Sequence, residues 1–146
     1  MKLYTIGFTQ KSAERFFGLL AEHGVDHVVD IRLNPDGQLS GFAKQGDLAW
    51  FLDRLNGADY IHLPQLAPSA EILDAYRKDR DWDTYVLQFE ELMDVREIPD
   101  TLDRASFKES VSCLLCSEPT PERCHRRLVA ERLAQAWPGV EVIHVG

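Results

Sequence analysis

Hydrophobic positions along the chain fall into short β-rich runs separated by longer stretches of helical period. Leu3 to Ile6 is such a run and stops at Gly7. Ser12 then stands where a helix N-cap is wanted, ahead of an apolar face of Phe16, Phe17, Leu19 and Leu20 that should continue to about His23 and stop at Gly24. His27 to Arg32 follows, a β-branched run that suits a strand covered on both faces. The first thirty residues therefore predict a β-α-β unit.

Residues 33–46 carry Asn34-Pro35-Asp36-Gly37, Ser40-Gly41 and Gly46, too many breakers for a regular element. A loop this long in a compact domain is more often functional than accidental. Asp47 is expected to open a helix through Leu48, Phe51, Leu52 and Leu55 that ends at Asn56-Gly57. Tyr60 to Leu63 predicts a third strand, stopped by Pro64. The stretch 69–108 predicts two or three helices, the clearest with Trp82, Tyr85, Val86, Phe89, Leu92 and Met93 on one face and another starting at Pro99. Val111 to Cys116 reads as a fourth strand, Thr120-Pro121 as the cap and first residue of a helix running to Trp137, and Val140 to Val145 as a last strand.

Strands that alternate with helices predict an α/β fold, a mainly parallel sheet of about five strands with helices on both faces. At 146 residues the chain fits a single α/β domain over 1–146. Ligands of such sheets bind beyond the carboxyl ends of the strands, here Gly7 to Gln10, Arg32 to Pro35, His62 to Gln65 and Cys116 to Glu118.

Composition narrows the partners. The chain is 45% hydrophobic and 27% charged, as expected of an ordered globular protein. Sixteen Lys and Arg against 24 Asp and Glu leave a net charge of −8, which repels phosphate backbones and anionic membranes as a whole. With no apolar run near the roughly 18–20 residues that span a bilayer, and no export leader at the start, a cytoplasmic protein without a membrane partner is expected. Three cysteines in a reducing compartment, Cys113, Cys116 and Cys124, predict thiols or metal ligands rather than disulfides.

The segment from Leu114 to Arg127 concentrates the chemistry. A thiol and a carboxylate, Cys116 and Glu118, stand at a strand's carboxyl end, and a helix start presents Cys124, His125, Arg126 and Arg127. Unpaired N–H groups at such a helix start attract anions and favour a thiolate over a thiol. Cys113 reads as packing. Cys113 and Cys116 are about 10 Å apart along a strand and on opposite faces, so the two do not share one metal. A metal at Cys116, Cys124 and His125, with His62 as a distant fourth, stays open as the lesser reading, and the sequence requires no cofactor. Cys116 to Arg123 spaces as Cys-x6-Arg with two prolines and two glutamates between, which excludes a Cys-x5-Arg phosphate loop. Asp79, Asp81 and Asp83 match calcium-loop spacing in part, but Thr84 stands where glycine is needed, so helix capping is the expected role.

Together these motifs resemble a known family. Thr5-Ile6-Gly7, Val29-Asp30-Ile31-Arg32-x-x-Pro35, Ser40-x-Phe42, Tyr60-x-His62-x-Pro64-x-Leu66 and Leu115-Cys116-x-Glu118-x-x-Pro121-x-x-Cys124-His125-Arg126 are similar, in order, to the bacterial and archaeal family catalogued as domain of unknown function 488. The resemblance runs from Tyr4 to His144. It implies a parallel α/β fold, and a cleft lined by Arg32, Tyr60, His62, Cys116, Glu118, Cys124, His125 and Arg126, without fixing an activity. Two departures stand out: Phe8-Thr9 where the family often has a His-Ser or Tyr-Ser pair, and Leu66-Ala67-Pro68 where it has Leu-Gly-Gly.

Three function classes follow. The first is an enzyme on a phosphorylated, nucleotide-like or other anionic small substrate, with Arg32, Tyr60 and Arg126 binding it and Cys116, Cys124, His125, His62 and Glu118 as catalytic groups. The second is a non-catalytic module for nucleic acid or a nucleotide. The third is a redox- or metal-responsive thiol protein built on Cys116 and Cys124. The oligomeric state is left open by the sequence.

Overall fold

In the computed structural model, residues 1–146 are described, with side chains at every position but 38 and 39. Five strands, β1 (Lys2–Gly7), β2 (His27–Asp30), β3 (Asp59–His62), β4 (Ser112–Cys116) and β5 (Glu141–His144), form one sheet in the order β3-β2-β4-β1-β5. Every pairing is parallel, with Gly7 beside Cys116 and Asp30 beside Leu115 at the carboxyl end. The expected parallel α/β fold is the observed one, and parallel pairing requires both faces to be covered.

The alternation of side chains along the strands separates two cores. On one face Tyr4, Ile6, Val28, Cys113 and Leu115 meet Phe16, Phe17 and Leu20 of α1 (Ala13–Glu22) and Leu48 of α2 (Gln45–Phe51). On the other, Leu3, Val29, Leu114 and Cys116 meet Tyr85, Phe89 and Met93 of α4 (Trp82–Val95) and Leu128, Val129 and Leu133 of α6 (His125–Ala136). The short helix α3 (Ala70–Asp79) packs on α4, and α5 (Arg104–Glu109) sets Phe107 against His27 and Trp137. Cys113 and Cys116 thus face opposite cores, as a three-residue separation on a strand requires.

Side-chain caps sit where the sequence places them. Ser12 accepts from Arg15 N–H, Ser69 from Ile72 N–H and Asp81 from Thr84 N–H, so Asp81 is a helix cap. Three helix starts differ from expectation. The helix expected at Asp47 begins at Gln45, which leaves Asp47 in the first turn, where a carboxylate suits the helix dipole. It widens into a π turn over Leu52–Asn56 and stops at Gly57 in the left-handed region. Pro99 does not start a helix: its carbonyl accepts from Leu102 N–H in an isolated turn, and α5 begins at Arg104.

The third difference bears on the site. Thr120-Pro121 does not open α6, which begins at His125. The backbone between is turned and not helical, with Cys124 N–H donating to Pro121 C=O at 3.2 Å; just before it Ser117 C=O accepts from Thr9 N–H at 3.1 Å and Glu118 C=O from the Arg126 guanidinium at 2.5 Å. Thr9 and Arg126 fix the start of this loop, which carries the β4 end over to Cys124.

Candidate functional site

The carboxyl ends of β2 and β4 open into a cleft of about 230 Å³ on the α4 and α6 side of the sheet. Its floor is Cys116, Cys124 and His125, all buried yet lining the cleft. Leu33 and Asn34 from the loop after β2 form one edge, and Tyr76, Trp82 and Tyr85 form an aromatic wall. Trp82 stacks on Tyr85 with ring centroids 4.9 Å apart, and Tyr76 meets both rings nearly edge-on or tilted. Arg77, Arg80 and Arg123 stand around the opening.

The floor has a defined proton arrangement. His125 Nε2 lies 2.7 Å from Ile31 C=O, and a carbonyl only accepts, so Nε2 carries a hydrogen. Nδ1 is therefore the free ring nitrogen of the neutral tautomer, and Cys116 Sγ lies beside the ring, 3.5 Å from Nδ1 and 4.0 Å from Nε2. The thiol of Cys116 is held below the usual value by a hydrogen bond from the Cys124 thiol, against the opposing effect of burial; the Glu118 and Ser117 N–H groups and the Arg126 charge add to it. Burial, and then Cys116 itself, push the Cys124 thiol well up. Burial also raises Cys113, which has no access to the cleft.

Five of the residues singled out from the sequence line the cleft: Arg32, Cys116, Glu118, Cys124 and His125. Arg32 is nevertheless tied down. Nε and Nη2 form a two-pronged bond with the buried Asp30 carboxylate at 2.8 and 2.7 Å, and Nη2 also donates to Ala43 C=O. Its guanidinium anchors the loop over 33–46 to the end of β2.

Tyr60, His62 and Arg126 lie outside the cleft lining. Tyr60 O–H donates to Asp30 at 2.5 Å, and burial followed by that carboxylate pushes the phenol up. His62 Nε2 donates to Arg32 C=O at 2.8 Å. Both therefore brace the Asp30–Arg32 pair. Arg126 is fully buried beneath the β1 end, where Nε donates to the Thr5 hydroxyl at 3.2 Å and Nη1 to Glu118 C=O. Its Nη2 has no partner among the described residues. A side chain at Gly7 would meet this bridge, since a Cβ there would stand 1.6 Å from Glu118 O and 2.7 Å from Arg126 Nη1.

Sequence reasoning passed over Arg77, Arg80, Arg123 and the wall residues Tyr76, Trp82 and Tyr85. The aromatic stripe of α4 matches a core face and is one, with Tyr85, Phe89 and Met93 buried and Trp82 packed against them, and its first turn, Trp82 and Tyr85, also lines the cleft. The available signal was the basic pair Arg77 and Arg80 next to Tyr76, at a helix end. Arg80 closes α3 in the left-handed region and lies over the Tyr76 ring at 5.6 Å.

The family model for "Domain of unknown function DUF488" matches residues 12–133. The chain belongs to this family. No curated protein and no solved structure matches it. The match spans the β2 end, the Asp30–Arg32 pair, the aromatic wall and the Cys116–Arg126 segment, so the whole cleft lies within the DUF488 region. Among the described residues, no helix is long and apolar enough to cross a membrane.

Proposed function

We propose that this DUF488 protein is an enzyme that transfers a group from a small anionic substrate to the thiolate of Cys116. The observation that carries the reading is the pairing of Cys116 Sγ with His125 Nδ1, 3.5 Å apart, on the floor of an arginine-lined cleft. A nucleophile within reach of a base whose other nitrogen is fixed by a third group is the arrangement that covalent catalysis needs.

The sign of the local charge supports an anionic substrate. Against a net charge of −8, the cleft is lined by Arg32, Arg77, Arg80 and Arg123 and by a single carboxylate, Glu118. Arg77, Arg80 and Arg123 meet the anion, while Arg32 holds the loop. The volume is below the roughly 300–1,000 Å³ of a drug-sized pocket, which favours a phosphorylated fragment with one ring over an oligonucleotide. Tyr76 and Trp82 offer that ring a flat wall.

In this reading His125 Nδ1 takes the Cys116 proton, the sulfur bonds to the electrophilic atom, and the leaving group departs with the electron pair of the broken bond. Glu118, exposed at the mouth, exchanges protons with the leaving group and with the water that frees the thiolate.

Two alkylating agents that differ only in charge test it, with chelator present and each cysteine read by peptide mass spectrometry. Iodoacetamide ordinarily outpaces the anionic iodoacetate. At Cys116 the cleft should reverse that order, and millimolar inorganic phosphate should slow both. Faster reaction with the neutral reagent and no effect of phosphate would refute the anionic substrate.

A further inference from the structure

Cys116 and Cys124 offer sulfur, His125 offers a ring nitrogen, and the three donor atoms all lie within 4.8 Å of one another. They come from two places, the end of β4 and the start of α6, joined by the loop whose start Arg126 and Thr9 fix. We propose that these three side chains form a binding site for a zinc-class ion, with the fourth coordination position open to the cleft.

Geometry carries the inference. Zinc–sulfur and zinc–nitrogen bonds of about 2.3 and 2.0–2.1 Å meeting at the tetrahedral angle put the two donors about 3.6 Å apart. Cys116 Sγ and His125 Nδ1 stand 3.5 Å apart. Nε2–H is fixed on Ile31 C=O, which sets the tautomer and leaves Nδ1 as the nitrogen free to bind. Two thiolates and an imidazole select a soft or borderline tetrahedral ion over calcium or magnesium, which take oxygen donors. All three residues line the cleft, so an ion there would keep an open position for water or an anion. Both sulfurs bind as thiolates, and any proton they carry leaves to solvent.

The inference stands apart from the catalytic reading, because an ion on Cys116 occupies the sulfur that reading uses. The metal-loaded protein is then the form with a masked nucleophile.

Cobalt titration of the chelator-stripped full chain tests the site directly. One equivalent of Co²⁺ should give the intense visible bands of tetrahedral cobalt together with near-ultraviolet sulfur-to-cobalt charge transfer. Cys124→Ser and His125→Asn should lose these bands, and Cys113→Ala should keep them. A second readout needs no variant: Zn²⁺ added to the native chain should slow alkylation of Cys116 and Cys124 in step, at least tenfold. A pale octahedral spectrum, bands that survive both substitutions, or alkylation unmoved by Zn²⁺ would overturn the site. Slow alkylation of Cys116 in chelator would instead refute the nucleophile and leave the cobalt result untouched.

Discussion

Cys116 Sγ stands 3.5 Å from Nδ1 of His125, and the other nitrogen of that ring is held by Ile31 C=O. The Cys124 thiol, with its sulfur within 4.8 Å of these atoms, is the neighbour that most lowers the Cys116 thiol. A hydrogen bond to a charged group contributes about 1.5–3 kcal/mol, and 1.4 kcal/mol is tenfold in an equilibrium. Cys124→Ala should therefore slow alkylation of Cys116 by about tenfold at neutral pH in chelator. Cys124→Ser, which keeps a donor, should recover part of the loss. An unchanged rate in the alanine variant would remove Cys124 from the account.

The arginines around the cleft act as exposed charges, so each contributes modestly. Arg80→Ala and Arg123→Ala should each raise the phosphate concentration that half-protects Cys116 by about 1.4–5-fold, in line with the roughly 0.2–1 kcal/mol of an exposed ion pair. The double variant should combine the two effects. Protection that is the same in all three variants and the parent would place the anion elsewhere.

The pair of Asp30 and Arg32 is scaffold, with both groups buried and joined by two bonds. Asp30→Asn leaves a buried guanidinium without its counter-ion and should lower unfolding stability by about 3–5 kcal/mol. Tyr60→Phe removes one hydrogen bond to the same carboxylate and should cost about 1–3 kcal/mol. Urea unfolding followed by circular dichroism checks both, and a near-neutral Asp30→Asn would contradict the bracing role.

These residues also mark how far the sequence is legible. The order of strands and helices follows from period and punctuation alone: β-branched runs of four to six residues, Ser12 as a cap, and Gly57 as a stop. Local rules settle such features because their causes are local. The start of α6 is not local, since Thr9 of the loop after β1 and Arg126 of α6 itself fix the backbone of 117–118, and the chain turns through 121–124 before the helix begins. The division of labour among Arg123, Arg126 and Arg127 depends on how α6 sits on the sheet, and a run of like charges carries no mark of that. Arg126 turns under Gly7 and Arg123 turns to the cleft. The aromatic wall was hidden for a related reason: a stripe on α4 is the same pattern whether it meets a core or lines a cavity.

Gly7 reports on the Arg126 bridge. Its alanine variant drives a methyl group into Glu118 C=O and the guanidinium that holds it. Overpacking of this kind typically costs about 1–3 kcal/mol. Gly7→Ala should lower the urea midpoint accordingly and weaken phosphate protection of Cys116, because the displaced loop carries Ser117 and Glu118. Wild-type stability and protection together would show that the loop is not held there.

Two histidines set a pH dependence. Burial lowers His27, with Asp59 and Asp26 opposing, and burial together with the Arg126 charge lowers His144. In the unfolded chain both return to about 6.5 and take up protons first, so stability is full above that value and falls as pH drops through it toward the depressed folded values. The urea midpoint should fall between about pH 7.5 and 5.5, and the double variant His27→Gln, His144→Gln should flatten the dependence. A midpoint that rises on acidification would contradict the shifts.

The central claim is that the β4 end presents a nucleophile, and the chain contains its own control. Cys113 and Cys116 sit on the same strand, both buried, facing opposite cores. The rate of iodoacetamide labelling at each, measured on the native protein at neutral pH in chelator, compares the cleft with the core directly. The account predicts that Cys116 reacts at least tenfold faster than Cys113. Equal, slow rates at the two thiols would contradict it and leave Cys116 as packing.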